Sequence, residues 1–194
     1  MTLPQHLLDR IASAAVAEGL ADAVYTRLKT PIGTLTVVQG ARGVLRVGFE
    51  KDPVDALLAE VAAGVGPRIV ASDRELAATR DALEAYFESG DERLDLPVDL
   101  ALVHSAFRRD ALTELRDVPA GEVVTYGELA RRIDHPRAAR AIGTACATNP
   151  VPIIVPCHRV LPGSGGVGNY GGGPDLKRRL LALEGSLPTT APRR

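Results

Sequence analysis

Residues 125–150 read TYGELARRIDHPRAARAIGTACATNP, and this stretch decides the fold. Thr125 and Glu128 stand at the spacing of a capping box, with the threonine as N-cap and the glutamate at N3. The pattern predicts a helix opening after Thr125 and running through Ile133. "DHPRAARAIGTACAT" then restarts a helix at once, with Pro136 suited to its first turn. Two short helices joined by a tight polar link make a helix-turn-helix candidate.

Working outward, residues 106–117 form a helix that ends before Pro119, "PAGEVV" is a turn, and residues 174–184 make a last helix. Towards the N-terminus the character changes. A short helix is expected over residues 5–19. Strands follow at Val24 to Lys29, Thr34 to Val38 and Val44 to Phe49, with turn signals at Pro31–Gly33 and Gly40–Gly43. That pattern predicts an antiparallel meander. Helices are predicted at 53–63 and 73–88. The polar segment 90–104 reads as a linker with room for a short strand. The fold class is therefore α/β in the α+β sense. The expected organisation is residues 1–100, a leading helix, sheet and helices; 101–185, mostly helical; and a disordered tail over 186–194.

The chain has 194 residues, 45% hydrophobic and 24% charged, enough to bury a core without staples. Its net charge of −1 conceals an asymmetry. Residues 1–103 carry 10 basic and 16 acidic side chains, a net −6, whereas residues 104–194 carry 13 and 8, a net +5. A basic half suits a locally docked anionic ligand. Two cysteines, Cys146 and Cys157, provide no disulfide framework and no metal-ligand spacing. Polar residues interrupt the apolar run near the N-terminus, and no run reaches membrane-spanning length. A cytoplasmic protein with reduced thiols and no membrane partner is expected.

The chemistry concentrates at IIVPCHRVLPGSGG, residues 153–166. A cysteine becomes nucleophilic when a cation, a helix N-terminus or a hydrogen-bond relay favours its thiolate. His158 and Arg159 adjoin Cys157. On an extended segment neighbouring side chains point opposite ways, so a water bridge between Cys157 and His158 is expected rather than direct contact. Glu184, in "LLALEG", is the late carboxylate that could fix the histidine tautomer.

Together these pieces resemble the O6-alkylguanine-DNA alkyltransferases, also called methylated-DNA–protein-cysteine methyltransferases. "PCHRV" at 156–160 is similar to their active-site motif. "GEVVTYGELA", "RAARAIGTACATNPVPIIVPCHRV", "GVGNYGGG" and "KRRLLALEG" follow in the family's order and spacing. The resemblance spans roughly residues 105–185. Residues 1–100 share only the strand-then-helix layout of the family's ribonuclease H-like N-terminal domain.

The resemblance implies irreversible, single-turnover transfer of an alkyl group from O6-alkylguanine, with O4-alkylthymine as a second candidate, to Cys157. It further implies His158 as water-mediated base, Glu184 as its orienting carboxylate, and Asn149 as the residue holding the cysteine turn. The duplex would be entered from the minor groove and the base flipped out. Arg140 would fill the gap in the stack, Ala138 and Ala139 would allow close approach, and Thr125 would lie at the DNA surface. Tyr126 would contact the extruded base, and Tyr170 would border the alkyl pocket. Gly171 N–H would donate to the guanine oxygen, the carbonyls of Cys157 and Val160 would accept from its exocyclic amine, and Lys177 would stand near the site. No cofactor and no metal are implied. A monomer is expected, with cooperative assembly on DNA left open.

The chain departs from the family in three places: Leu112 stands where many relatives have tryptophan, Gly171 stands where many have serine, and the first half lacks the cysteines of zinc-binding relatives. Three rival readings are a lesion binder, a thiol-sensing helix-turn-helix regulator and a thiol hydrolase. Cys157 itself argues against the first. There are no residues for a second regulatory domain, and nothing specifies turnover.

Overall fold

A computed structural model of the chain describes residues 5–90 and 94–187. The described residues divide into two compact units. One lies within Met1–Glu84 and Asp95–Leu102, the other within Ala85–Leu94 and Val103–Arg194. The part of the expected disordered tail from residue 188 onward lies outside the described residues.

In the first unit, helix α1 (Gln5–Ala17) precedes strands β1 (Ala23–Thr30), β2 (Gly33–Gly40) and β3 (Gly43–Gly48). Along β1, Thr26 and Leu28 are buried while Arg27 and Lys29 are exposed, the alternation of a strand with one covered face. β1 and β3 each pair antiparallel with β2. Helix α2 (Val54–Val65) lays Leu57 and Val61 on Ala23, Val38 and Leu45. The meander is not the whole sheet. Strand β4 (Ile69–Ala71) adds parallel to β1, giving the order β3-β2-β1-β4. Three residues are too few to show a period-2 pattern, so the sequence carries no signal for β4. The segment expected as a linker itself returns to β3, where Val44 N–H donates to Pro97 O and Asp99 N–H to Val44 O.

Helix α3 (Ala77–Ser89) begins four residues later than its periodicity predicts. Ser72 Oγ accepts from Glu75 N–H, and Ala77 N–H donates to Arg74 O, so residues 72–76 are consumed in a turn. From Ala85 onward α3 belongs to the second unit. There Tyr86 and Phe87 pack edge to face, 5.1 Å between ring centroids. Gly90 ends the helix at φ +74°, where a β-carbon would run into the Leu183 carbonyl.

The rest of the second unit is helical. Ser105 caps α4 (Ala106–Leu115). Strand β5 (Val124–Thr125) leads into α5 (Tyr126–Arg132), and the capping box is complete: Glu128 N–H donates to Thr125 Oγ1 and Thr125 N–H to Glu128 Oε2. Helix α6 (Ala139–Ala147) starts later than expected. Asp134 takes φ +60°, His135 N–H donates to Ala130 O and Ala138 N–H to His135 O. Pro136 therefore stands in the turn, not in the helix. α4 packs against both α5 and α6, with Leu112, Leu115, Leu129, Ile142 and Ala145 buried.

Residues Cys157–Arg159 form one turn of 3₁₀ helix, then strand β6 (Val160–Leu161), and α7 (Pro174–Leu183) closes the unit. β5 and β6 pair in parallel, Val124 with Val160 and Thr125 with Leu161. The segment expected as a plain turn at "PAGEVV" thus supplies the strand that ties the start of α5 to the cysteine turn. No helix among the described residues is long and apolar enough to cross a membrane.

Candidate active site

Short backbone constraints build the turn that carries Cys157. α6 ends at Ala147, and Asn149 follows its C-cap. Asn149 is buried and reaches both ends of the next loop: Oδ1 accepts from Val151 N–H at 3.0 Å, and Nδ2 donates to Val155 O at 2.9 Å. The same Nδ2 lies 3.2 Å from Cys157 Sγ. Val155 N–H donates to Val151 O and Cys157 N–H to Val155 O. Ile153, at the tip, has φ +77°, a strained value for a β-branched residue, held by this double tether.

Cys157 and His158 are not on an extended segment. The 3₁₀ turn replaces it because Arg159 N–H closes on Pro156 O at 2.9 Å. His158 is fully buried, and its Nε2 lies 2.8 Å from Glu184 Oε1. Hydrogen bonds from His158 and Arg159, with the charge of Arg159, reverse the upward push of burial on Glu184 and hold its carboxyl down at about 2. An ionised carboxylate only accepts, so Nε2 carries the proton and Nδ1 keeps its lone pair. Burial holds the imidazole below its ordinary range, and Glu184 opposes that only in part. His158 is therefore a neutral ring whose Nδ1 has no protein partner. Tyr170 stands edge-on to it, 6.3 Å between centroids.

Glu184 is more heavily bonded than the sequence implies. Arg159 grips it with Nε on Oε2 at 3.0 Å and Nη2 on Oε1 at 2.8 Å, while Nη1 donates to Val118 O. Tyr86 donates to Oε1 at 2.6 Å. Sequence reasoning placed Arg159 only as a neighbouring cation and did not find Tyr86. Nothing in a single chain links residues 98 positions apart.

A pocket of about 630 Å³ opens over Cys157. Tyr126, Arg140, Tyr170 and Gly171 line it, as anticipated. So do Cys146, noted in the sequence only as one of two cysteines, and Gly143, Thr144 and Ala147 of α6, which had not been singled out. Arg140, Gly143, Thr144 and Ala147 fall at i, i+3, i+4 and i+7, one helix face, and that spacing was the available signal. On the loop side Gly168, at φ +69°, packs its α-carbon beside Pro162 where a β-carbon would not fit, and both residues line the pocket.

The remaining expected residues stand elsewhere. Ala138, Ala139 and Thr125 are half-buried and outside the lining, and Thr125 is engaged in its cap. Lys177 is fully buried beneath the loop and also outside the lining; its Nζ donates to Val160 O at 2.6 Å and to Asn169 O at 3.4 Å. The Val160 carbonyl, expected to accept from a ligand amine, already has a donor. Lys177 thus anchors the loop to the strand after the cysteine. Burial lowers its pKa, and its charge acts in turn on the thiol.

Burial dominates the thiol and pushes Cys157 up to about 11, with the Asn149 hydrogen bond and Lys177 charge pulling the other way. At neutral pH about one thiol in 10⁴ is ionised at that value. Carbamidomethylation of Cys157 by iodoacetamide, read by peptide mass, is accordingly expected to be very slow at pH 7. It should rise about tenfold per pH unit through pH 9, because only the thiolate reacts. A rate already level between pH 7 and 9 would contradict this.

Two family models match the chain. One, described as 6-O-methylguanine DNA methyltransferase, DNA binding domain, matches residues 106–186; the other, its ribonuclease-like domain, matches residues 23–100. A methylated-DNA–protein-cysteine methyltransferase of Rattus norvegicus is 39% identical over 183 residues, covering 87% of this chain and 84% of that protein. One from Mycolicibacterium paratuberculosis is 38% identical over 163 residues, covering 82% and 91%. Among solved structures, an OGT of Mycobacterium tuberculosis in complex with DNA superposes with a TM-score of 0.72 at 34% identity, covering 84% of this chain and 93% of that one.

Proposed function

The chain belongs to the 6-O-methylguanine DNA methyltransferase family, and from that premise we propose that it repairs alkylated DNA by moving the alkyl group of O6-alkylguanine onto Cys157. The observation that carries this reading is one continuous arrangement: Asn149, Cys157, His158 and Glu184 are bonded or adjacent, and Cys157 lines a pocket that also holds an exposed arginine.

The partner is DNA. A base inside a duplex cannot reach a buried thiol, so the nucleotide must turn out of the stack at a cost of a few kcal/mol. Arg140 sits on α6 at the pocket's rim, where it can take the vacated place and offset that cost. Thr144 and Gly143 keep the same helix face small for close approach to a minor groove. The extruded purine lies between Tyr126 and the Gly168–Gly171 segment, and a pocket of about 630 Å³ is of small-molecule size.

Transfer is an in-line displacement. The sulfur lone pair forms a bond to the alkyl carbon as the bond from that carbon to O6 breaks, and its electrons leave with the guanine. The thiol proton moves to His158 Nδ1, through a bridging water if the two do not meet, and in the end to the guanine. No other reactant is needed. His158 suits this because it is neutral, its other nitrogen is fixed by Glu184, and the imidazolium formed faces a carboxylate. The high resting value of the thiol keeps it from reacting with stray electrophiles, so ionisation is coupled to a docked base. The thioether has no route back, and each molecule acts once.

The test is a count. O6-methylguanine remaining in a duplex after digestion should fall by one lesion per molecule of protein and then stop. Continued loss beyond one equivalent would replace this reading with a turnover enzyme, and no loss would refute it.

A further inference from the structure

Glu184 Oε1 lies within 2.8 Å of His158 Nε2, within 2.8 Å of Arg159 Nη2 and within 2.6 Å of the Tyr86 hydroxyl. One carboxylate oxygen presents about two lone-pair directions, so three donors on it share what it can give. We infer that Tyr86 is a positioning residue for the transfer reaction: by occupying the oxygen that orients His158, it limits how strongly Glu184 draws on the imidazole and keeps Nδ1 available to receive the thiol proton. The inference rests on the function proposed above.

The geometry favours this over packing alone. A buried tyrosine at this place needs some acceptor for its hydroxyl. Here the acceptor is the carboxylate of the relay, 98 positions along the chain from the tyrosine on α3. The tyrosine cannot serve as an acid or base itself. Burial, then the charge and hydrogen bond of Glu184, drives its ionisation far above any working pH. It can act only as a fixed donor.

The groups facing this centre are few. His158 and Arg159 come from the 3₁₀ turn, Tyr86 from α3, Tyr170 from the loop, edge-on to the imidazole, and Lys177 from α7, acting on His158 through charge. Arg159 makes two bonds to Glu184 and holds it ionised whether or not Tyr86 is present. Removing the hydroxyl therefore returns acceptor strength to His158 rather than protonating the carboxylate. A stronger Glu184–His158 bond makes the imidazole more basic, so it stays protonated to a higher pH and cannot accept the thiol proton there.

The experiment is the single-turnover transfer rate of the whole protein and of its Tyr86→Phe variant on a duplex bearing O6-methylguanine, followed from pH 5 to pH 9. The acidic limb of the variant is expected about one pH unit higher, so the variant lags about tenfold at acid pH and converges with the parent at alkaline pH. Titration of the His158 ring protons by NMR in both proteins, without DNA, provides a second reading should the variant bind DNA poorly, and it must move in the same direction. Coincident limbs, or a uniform loss at every pH with an unmoved His158 titration, would assign Tyr86 to packing and overturn the inference. If the parent itself takes up no methyl group, the underlying function fails instead.

Discussion

Replacing Cys157 with alanine is expected to leave a protein that binds a duplex containing O6-methylguanine as the parent does and never removes the methyl group. The two properties separate because the surfaces are different. On the proposed function, binding draws on Arg140, Thr144 and the helix face around them, whereas Cys157 is 5% exposed in the pocket lining and its sulfur accepts one side-chain hydrogen bond, from Asn149. Losing a sulfur there removes a small apolar atom and leaves one amide hydrogen short of an acceptor. That costs about 1–2 kcal/mol of stability, too little to unfold a domain. Transfer should fall below detection, because no substitute thiolate is available. Cys146 lines the same pocket, but burial, which the substitution leaves in place, pushes its thiol well above the ordinary cysteine range. Filter binding and lesion counting on one set of samples check both halves. Residual removal by the Cys157→Ala protein would mean that another group accepts the alkyl.

The second large effect is expected at Glu184. Glu184→Gln retains the size of the side chain and removes its charge, leaving the guanidinium of Arg159 buried without an anion. Breaking one side of a buried pair costs about 3–5 kcal/mol. Transfer should slow by about 10² to 10⁴, the range for losing the orientation of a general base. Denaturant unfolding and single-turnover kinetics measure the two losses separately, and a parental rate in a folded variant would remove Glu184 from the relay. The pH dependence has a definite sign. The carboxyl titrates at about 2 in the folded chain, below the ordinary value near 4.5. Its contribution is complete above the unfolded value and disappears as pH falls through about 2. Its size, about 3 kcal/mol, should be absent from acid unfolding of the variant.

The sequence was informative where chemistry is local. The capping box at Thr125 and Glu128 and the helix after it could be read directly, because caps act over a few residues; Cys157 stood out for the histidine and arginine beside it, whereas Asn149 was reached only through the family resemblance. The pocket wall was half legible. Arg140 was reached through the family resemblance, whereas Gly143, Thr144 and Ala147 share its face but look like ordinary helix filler. Two kinds of feature were not legible. β4 and β5 are three and two residues long and exist only because β1 and β6 offer them a partner. Tyr86 and the double grip of Arg159 on Glu184 are contacts across long stretches of chain, which no local pattern encodes. The 3₁₀ turn at Cys157 also escaped, since its cause is a backbone bond from Arg159 to Pro156 rather than a side-chain preference.

The central claim is that Cys157 accepts the alkyl group, and intact mass followed by peptide mapping tests it most directly. After mixing with an equimolar duplex carrying one O6-methylguanine, the protein should gain the mass of one methyl group. The modified peptide should be the one containing Cys157, with Cys146 unmodified. A methyl group on any other residue, or an unmodified protein bound to an intact lesion, would contradict the account.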